Sequence, residues 1–456
     1  MRTDVIIIGS GQAGVPLAAR LVASGKSVVL FERGPLGGTC VNVGCTPTKT
    51  MVASARAAHV ARTAGRLGVH VGDVKVDFPA VIARKDGIVA RWRAGVERRL
   101  QRAGERLRVV RHGARFVGPR EVEADGERFT ADIIIVNVGA RAAVPGVPGL
   151  DAIPFLDNRR IMDLGELPAH LVVLGGGYIG CEFGQMFRRF GAAVTIVDRN
   201  SHLLSREDPE TSSALEEVFR AEGIGLELSS TVESVHREGG EIVVRLGSGK
   251  EIRGSHVLVA VGRRPNTDDL GCEAAGIALD ARGFIVTDDG YATSAPGVYA
   301  VGDVTGGPQF THTAWDDHRL LFDRLVHRGE RGKSARLVPF TVYTDPQVAG
   351  VGPTERSLAE RGIPHETATM SFGDIARAIE VDERAGTMKV MIDPETEKIL
   401  GARLVGAEAG ELIHIFVALM EAGASLRAVV DAEFVHPSFA EGVQSLVMRL
   451  PRYSLG

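Results

Sequence analysis

The stretch DVIIIGSGQAGVPLAARLVASGKSVVLFER, residues 4–33, decides the fold, because the chain contains it twice. It aligns without gaps on HLVVLGGGYIGCEFGQMFRRFGAAVTIVDR, residues 170–199, at a constant offset of 166. Gly9, Gly11 and Gly14 fall on Gly175, Gly177 and Gly180; Gly25 falls on Gly191, Glu32 on Asp198 and Arg33 on Arg199. Each copy reads as an apolar strand, a G-x-G-x-x-G turn, a helix and a second strand ending in an acid. In that pattern one glycine makes the tight turn, one lets the backbone approach a pyrophosphate, and one allows close helix–strand packing. The helix N-terminus then holds the phosphates, and the acid accepts from a ribose hydroxyl.

Two dinucleotides bound by one chain imply electron transfer between them, and a flavin with a nicotinamide is the obvious pair. Each unit closes with a further buried strand and glycine, IIIVNVGAR near Gly139 and VLVAVGRR near Gly262. A third apolar segment, VYAVGDVTGG, runs into Gly302 and Asp303. Beyond about residue 334, alternating apolar patterns and the amphipathic GELIHIFVALMEAG predict an antiparallel sheet with helices. The fold class expected is α/β, with two Rossmann-like dinucleotide-binding domains and a C-terminal α+β domain. The boundaries expected are 1–145 with 266–334 for the first dinucleotide domain, 146–265 for the second, and 335–456 for the C-terminal domain.

Composition excludes several alternatives. The chain is 456 residues long and 44% hydrophobic, enough for about three domains. Its net charge of −4 offers no electrostatic reason to expect nucleic acid or an acidic membrane. No apolar run approaches the roughly 18 residues of a membrane helix, and MRTDVIIIGSGQAG has no signal-peptide pattern. The expectation is a soluble cytoplasmic protein. Four cysteines are too few for a secreted disulfide scaffold, so a close pair is redox-active or metal-binding.

That pair is Cys40 and Cys45, in GGTCVNVGCTPTKT, residues 37–50. It lies in the interval by which the first unit exceeds the second, just after the first acid. No second Cys/His pair at matching spacing completes a tetrahedral metal site. Five residues of regular helix would rise about 7.5 Å, beyond the roughly 7 Å α-carbon limit of a disulfide. The segment must therefore break, and Gly44 permits it. Thr46 as N-cap and Pro47 as first helical residue would set a positive helix end near Cys45, with Lys49 in the first turn. Both favour a thiolate. A thiolate beside a dinucleotide is a redox centre.

GGTCVNVGC with Lys49, GGGYIGCE, VGRRPNT, VYAVGDVT and HPSFAE together resemble the FAD-dependent pyridine nucleotide–disulfide oxidoreductases over essentially the whole chain. That resemblance makes the first dinucleotide domain the one for FAD, the second the one for NAD(P), and the C-terminal domain the one for dimerisation. The resemblance implies that Cys45 is the thiolate in charge-transfer contact with the flavin and Cys40 the thiol that attacks substrate. It implies that Lys49 lies near the flavin and pairs with Glu182, and that Tyr178 covers the nicotinamide pocket. Gly9, Gly11, Gly14, Glu32, Gly38, Thr39, Gly139, Gly302 and Asp303 would hold FAD, with the backbone of His112, Gly113 and Ala114 against its adenine. Gly175, Gly177, Gly180, Asp198, Arg199 and Gly262 would hold NAD(P)H. His436, oriented by Glu441, would serve as acid and base across a homodimer interface. Cys181 and Cys272 read as small packing residues.

GCTPTKT, REDP and VTGGPQFTH resemble the mercuric-reductase branch and its copper-reducing relatives. Yet no cysteine follows Cys272, and His436 stands where true mercuric reductases carry tyrosine. The expected function is electron transfer from NAD(P)H, with NADH favoured, to a disulfide or to Cu(II) or Hg(II). No resident metal is expected, only a transient substrate ion at Cys40 and Cys45. Dihydrolipoamide dehydrogenase is the alternative, and a flavin-binding redox sensor or electron carrier with a protein partner is the alternative from another class.

Overall fold

In the computed structural model, which describes residues 1–453, the chain forms two compact units. The first gathers Met1–Thr50, Ile82–Ala143 and Gly262–Arg336; the second gathers Met51–Val81, Val144–Val261 and the segment from Leu337 onward.

A seven-stranded sheet organises the first unit. Leu107–Val110, Val28–Phe31, Arg2–Ile8 and Glu127–Val136 lie in that order, all parallel, and Val298–Ala300 pairs with the end of the last. Arg115–Gly118 and Glu121–Ala124 extend the sheet as an antiparallel edge. The run VIII at residues 5–8 is apolar throughout because both faces of this strand are covered. Val5 and Ile7 join the cluster with Leu17, Leu21 and Leu321, from helices Gly14–Ala23 and Thr311–Phe322. Ile6 and Ile8 join the opposite cluster with Phe116, Phe129 and Ile285. The extra interval of the first repeat copy contains helices Gly38–Val43, Cys45–Thr63 and Phe78–Gln101, and its residues Met51–Val81 are counted with the second unit.

The second unit contains the repeat. Gly225–Glu227, Ala193–Val197, His170–Leu174 and His256–Val259 form a parallel sheet whose order matches that of the first unit. A three-stranded meander, Val232–Glu238, Glu241–Leu246 and Glu251–Gly254, packs through Val235, Val244 and Ile252 with Leu174 and Val259. From Phe340 onward five antiparallel strands appear, Phe340–Val342, Gln347–Val351, Ile399–Gly406, Thr387–Ile392 and Glu366–Ser371 in spatial order. Leu412, Ile413 and Phe416 of helix Ala409–Glu421 cover that sheet. The antiparallel C-terminal region is thus as the alternating pattern led us to expect.

Helix Tyr178–Phe190 is the joint within this unit. Its residues 182, 185 and 189 share a face at helical spacing. That face grips the turn between the first two C-terminal strands: Tyr343 N–H donates to Glu182 Oε1 (2.8 Å), and Asp345 N–H donates to Gln185 Oε1 (2.8 Å). Arg189, 6% exposed, donates to Asp345 Oδ2 (2.6 Å) and Glu222 Oε1 (2.6 Å). Burial alone would raise the Asp345 carboxyl, but Arg189 and Arg56 outweigh it and hold it below the usual range. Arg189→Leu would leave Glu222 without its guanidinium partner and Asp345 with Arg56 alone, so we expect a loss of about 3–5 kcal/mol, read from urea unfolding followed by circular dichroism. A depressed carboxyl stabilises above its unfolded pKa and stops doing so as pH falls through its folded one. The difference between wild type and variant should therefore persist at neutral pH and shrink only below the ordinary Asp value of 3.8.

Candidate active site

In parallel sheets, ligands bind beyond the carboxyl ends of the strands. In the first unit Ile8 is in register with Phe31 and Val136, Phe31 with Val110, and Val136 with Ala300. Gly9, Glu32, the 111–114 segment, Gly139 and Gly302–Asp303 therefore leave the sheet along one edge. A Cβ on Gly14 would collide with the Gly9 carbonyl oxygen, so only glycine lets the helix start this close to the strand end. Glu32 sits against the turn: its Oε2 accepts from Ser10 N–H (2.9 Å) and Ser10 Oγ–H (2.6 Å), and its Oε1 from Gly34 N–H (2.7 Å). Ser10 Oγ also accepts from Gly37 N–H (3.1 Å), and a Cβ on Gly38 would lie 2.7 Å from Gly11 Cα. Bare backbone at a helix N-terminus beside a carboxylate matches the donor set of a dinucleotide, and these residues fit FAD.

The cysteine segment breaks where the spacing argument demanded. Cys40 lies in helix Gly38–Val43; Gly44 interrupts; Cys45 opens helix Cys45–Thr63. A Cβ on Gly44 would press on Thr39 O at 2.9 Å and on Cys40 Cα at 3.3 Å, so the fold-back needs glycine. The helix begins earlier than the Thr46–Pro47 start expected from the sequence. Thr48 N–H donates to Gly44 O (3.1 Å), which makes Gly44 the cap and Cys45 the first residue of the turn. Pro47 still falls among the first positions, where its missing N–H costs nothing. Asn42 anchors the segment by donating to the carbonyls of Gly38 (2.9 Å) and Leu36 (2.9 Å).

Both cysteines are thiols here. Cys40 is hydrogen-bonded to Cys45, and that bond, then burial, then negative charge on Cys45, push the Cys40 thiol well up. Thr311 and Lys49 pull it the other way. Cys45 opens its helix, where the positive helix end favours a thiolate. Its Sγ also lies 3.1 Å from Thr311 Oγ1, at the start of helix Thr311–Phe322. Nearby, burial pushes the Asp303 carboxyl up against the opposing pull of Arg263, 3.1 Å away. Gly302 N–H donates to Asp317 Oδ2 (2.7 Å), whose other oxygen accepts from Tyr291 (2.8 Å) and Arg336 (2.6 Å). This buried network fixes the Gly302–Asp303 loop.

The second unit repeats the cradle. A Cβ on Gly180 would collide with the Gly175 carbonyl, as at Gly14 and Gly9. Asp198 Oδ2 accepts from Gly176 N–H (2.5 Å), the counterpart of Ser10 and Glu32, and Oδ1 accepts from Asn200 N–H (2.8 Å). Arg199, which follows it directly, and Arg206 are exposed. Gly177 caps the helix that Tyr178 opens, and the Tyr178 ring stacks on Phe340 at 5.4 Å. His436 Nδ1 meets Glu441 Oε2 at 2.8 Å, with the imidazole 69% exposed. Cys181 and Cys272 are buried, as packing residues are.

Sequence reasoning assigned no role to Ser10, Thr311, Asp317 or Asn137. Asn137, 7% exposed, donates to the Gly9 carbonyl (3.3 Å) from the neighbouring strand end. Thr311 lies inside a quoted motif, VTGGPQFTH, but nothing in the one-dimensional pattern places its hydroxyl on the sulfurs. Among the described residues, one acidic cluster has metal-ligand proximity, Asp208, Glu210 and Glu355, and Lys389 ion-pairs with all three.

The pyridine nucleotide-disulphide oxidoreductase pattern matches residues 3–317, and the dimerisation domain of the same family matches residues 338–447. The chain belongs to the pyridine nucleotide–disulfide oxidoreductases. It is therefore an FAD-dependent enzyme that uses NAD(P)H and carries a dimerisation domain. The mercuric reductase of Streptomyces lividans is 36% identical over 451 residues, covering 97% of this chain and 94% of its own. The dihydrolipoyl dehydrogenase of Thermus scotoductus is 34% identical over 463 residues, covering 99% and 98%. The solved Cu(II) complex of the HOCl-induced flavoprotein disulfide reductase RclA from Escherichia coli matches with a TM-score of 0.89 at 34% identity, over 97% of this chain and 99% of that one. No described helix of this oxidoreductase is long and apolar enough to cross a membrane.

The cysteine geometry makes a spectral prediction. Anaerobic two-electron reduction of the holoenzyme should produce a long-wavelength absorbance. Cys45→Ser should abolish it, and Cys40→Ser should show it without reduction. Because charge on Cys45 raises Cys40, Cys45→Ser should also shift alkylation of Cys40 by iodoacetamide to lower pH. Wild-type spectra in both variants would refute the assignment.

Proposed function

We propose that this oxidoreductase is a cytoplasmic homodimer that passes an electron pair from NADH to the Cys40–Cys45 pair, and from there to a thiophilic metal ion or a disulfide. The observation that carries this reading is the dithiol held across the Gly44 break, beside the edge where the first cradle and the Gly302–Asp303 loop meet. We keep the three-domain division for it: residues 1–145 with 266–334 for FAD, 146–265 for the nicotinamide nucleotide, and 335–456 for dimerisation.

Gly9, Gly11, Gly14, Gly38, Thr39, Gly139 and Asp303 would hold FAD, Glu32 its ribose, and the backbone of 112–114 its adenine. Bound FAD would supply hydride acceptance and two-electron reduction of the cysteine disulfide. The chain's own groups do the rest. Lys49 and the helix start favour the Cys45 thiolate. His436 of the second copy, held by Glu441, takes the proton of Cys40 as that sulfur attacks one sulfur of a substrate disulfide, and returns it to the departing thiolate. The Cys45 thiolate then attacks the Cys40 sulfur, which closes the enzyme disulfide and releases the second substrate sulfur as a thiolate.

Cu(II) or Hg(II) as acceptor is supported by likeness to a mercuric reductase and to a reductase solved as a Cu(II) complex. The chain has no cysteine after Cys272 to hand a soft ion inward, so the inner pair would have to bind it unaided. The disulfide alternative, of the dihydrolipoamide dehydrogenase type, is favoured by one observation: the His436–Glu441 pair, which suits a leaving thiol. The test is steady-state turnover with Cu(II), Hg(II), lipoamide and glutathione disulfide in wild type and His436→Ala. Disulfide reduction should fall by about 10²–10⁴-fold, metal-ion reduction much less, and flavin reduction by nicotinamide hardly at all. No turnover with any of the four would refute the acceptor class, and a loss confined to the nicotinamide half-reaction would remove His436 from its role.

NADH is the favoured nucleotide because Asp198 stands where a carboxylate accepts from a free 2′-hydroxyl and repels a 2′-phosphate. Arg199 and Arg206 moderate that repulsion. Wild type should show the higher kcat/KM with NADH, and Asp198→Ala should move the ratio toward NADPH. A tenfold wild-type preference for NADPH, or a ratio indifferent to the substitution, would show that Asp198 does not read the ribose.

A further inference from the structure

The sequence contains Arg206-Glu207-Asp208-Pro209, a motif that marks the branch and of which only Arg206 enters the chemistry above. In the second unit this loop rests on the nucleotide turn: Leu204 N–H donates to Gly176 O (2.9 Å), and Glu207 N–H to Leu204 O (2.8 Å). Its two acids are buried, Glu207 at 5% and Asp208 at 2% exposure, and each is matched to the C-terminal sheet region. Asp208 accepts from the backbone N–H groups of Glu355 and Arg356, both at 3.1 Å. Glu207 Oε2 accepts from Arg403 Nε at 2.6 Å, and Arg403 spends its remaining donors on the carbonyls of Val351, Gly352 and Ala402. The second oxygen of Glu207 faces Tyr178, whose hydroxyl donates to it at 3.4 Å.

We propose that Glu207 is a positioning residue that latches the Tyr178 ring closed and ties this gate to the C-terminal sheet through Arg403. The proposal rests on the reading of Tyr178 as the cover of the nicotinamide pocket. The face of the ring lies on Phe340, 9% exposed, and its hydroxyl meets Glu207. The 3.4 Å separation is longer than the 2.5–3.0 Å of a strong O–H···O bond, as suits a contact broken at each turnover. The Arg403 guanidinium prevents Glu207 from following the ring when it swings. Burial, with the Glu207 charge second, pushes the Tyr178 phenol well up, so its hydroxyl stays a donor.

A latch on the closed state lowers the fraction of enzyme ready to bind nucleotide, and apparent affinity falls by that fraction. A weak hydrogen bond is worth a factor of about two to ten. Tyr178→Phe removes only the hydroxyl and leaves the Glu207–Arg403 pair intact. In the holoenzyme it should tighten NAD⁺ about threefold by calorimetry and raise iodide quenching of flavin fluorescence without nucleotide. Glu207→Gln should act in the same direction, and the double variant should go no further than either single one. Wild-type values in Tyr178→Phe, or effects that simply add, overturn the latch. Tyr178→Ala separates the two levels. If it changes NAD⁺ affinity and quenching while Tyr178→Phe does not, the gate stands without a latch; if it changes neither, Tyr178 does not cover the pocket and both readings fall.

Discussion

Everything chemical in this protein depends on one close approach, that of a helix start to the end of the strand before it. At Gly14 and again at Gly180, the space a Cβ would need is taken by the carbonyl of the turn's first glycine. That contact sets the helix N-terminus at the carboxyl edge of each parallel sheet, where its unpaired N–H groups face a ligand. The acids follow from it. Glu32 and Asp198 each accept from the residue after the first glycine, so turn and acid are oriented as one piece.

The same edge governs the sulfurs. A helix running straight through residues 38–63 would hold Cys40 and Cys45 too far apart to react. Gly44 divides it, and the second helix begins on Cys45. The positive end of that helix favours charge on Cys45, while the hydrogen bond to Cys45, burial and charge on Cys45 push the Cys40 thiol up. One backbone break therefore produces both proximity and asymmetry between two chemically identical thiols.

In the second unit, helix Tyr178–Phe190 serves two partners. Its first residue stacks on Phe340 and meets Glu207, and residues 182, 185 and 189 bind the hairpin that opens the C-terminal sheet. Glu207 and Asp208 make a parallel connection from the adjacent loop. The region that serves for dimerisation is thus bonded directly to the helix that carries the groups assigned to nicotinamide binding.

What the sequence determined by itself was whatever repeats or breaks locally. The repeat at 4–33 and 170–199, the acids at its ends, the paired cysteines with their glycine and the antiparallel C-terminal pattern are all short-range signals. Each reflects the steric or hydrogen-bonding demand of neighbouring residues, so each is legible without a fold. The helix start at Cys45 rather than Pro47 escaped that reading, because proline tolerates any of the first helical positions and the Gly44 cap is a backbone contact. Only the tertiary structure brought Thr311 to the sulfurs, Asn137 to the first turn, Asp317 under Gly302 and Glu207 between Tyr178 and Arg403. Those partners are separated by up to 266 positions in the chain, and no periodicity of 2 or 3.6 residues carries information across such a distance. Strand order and packing decide them.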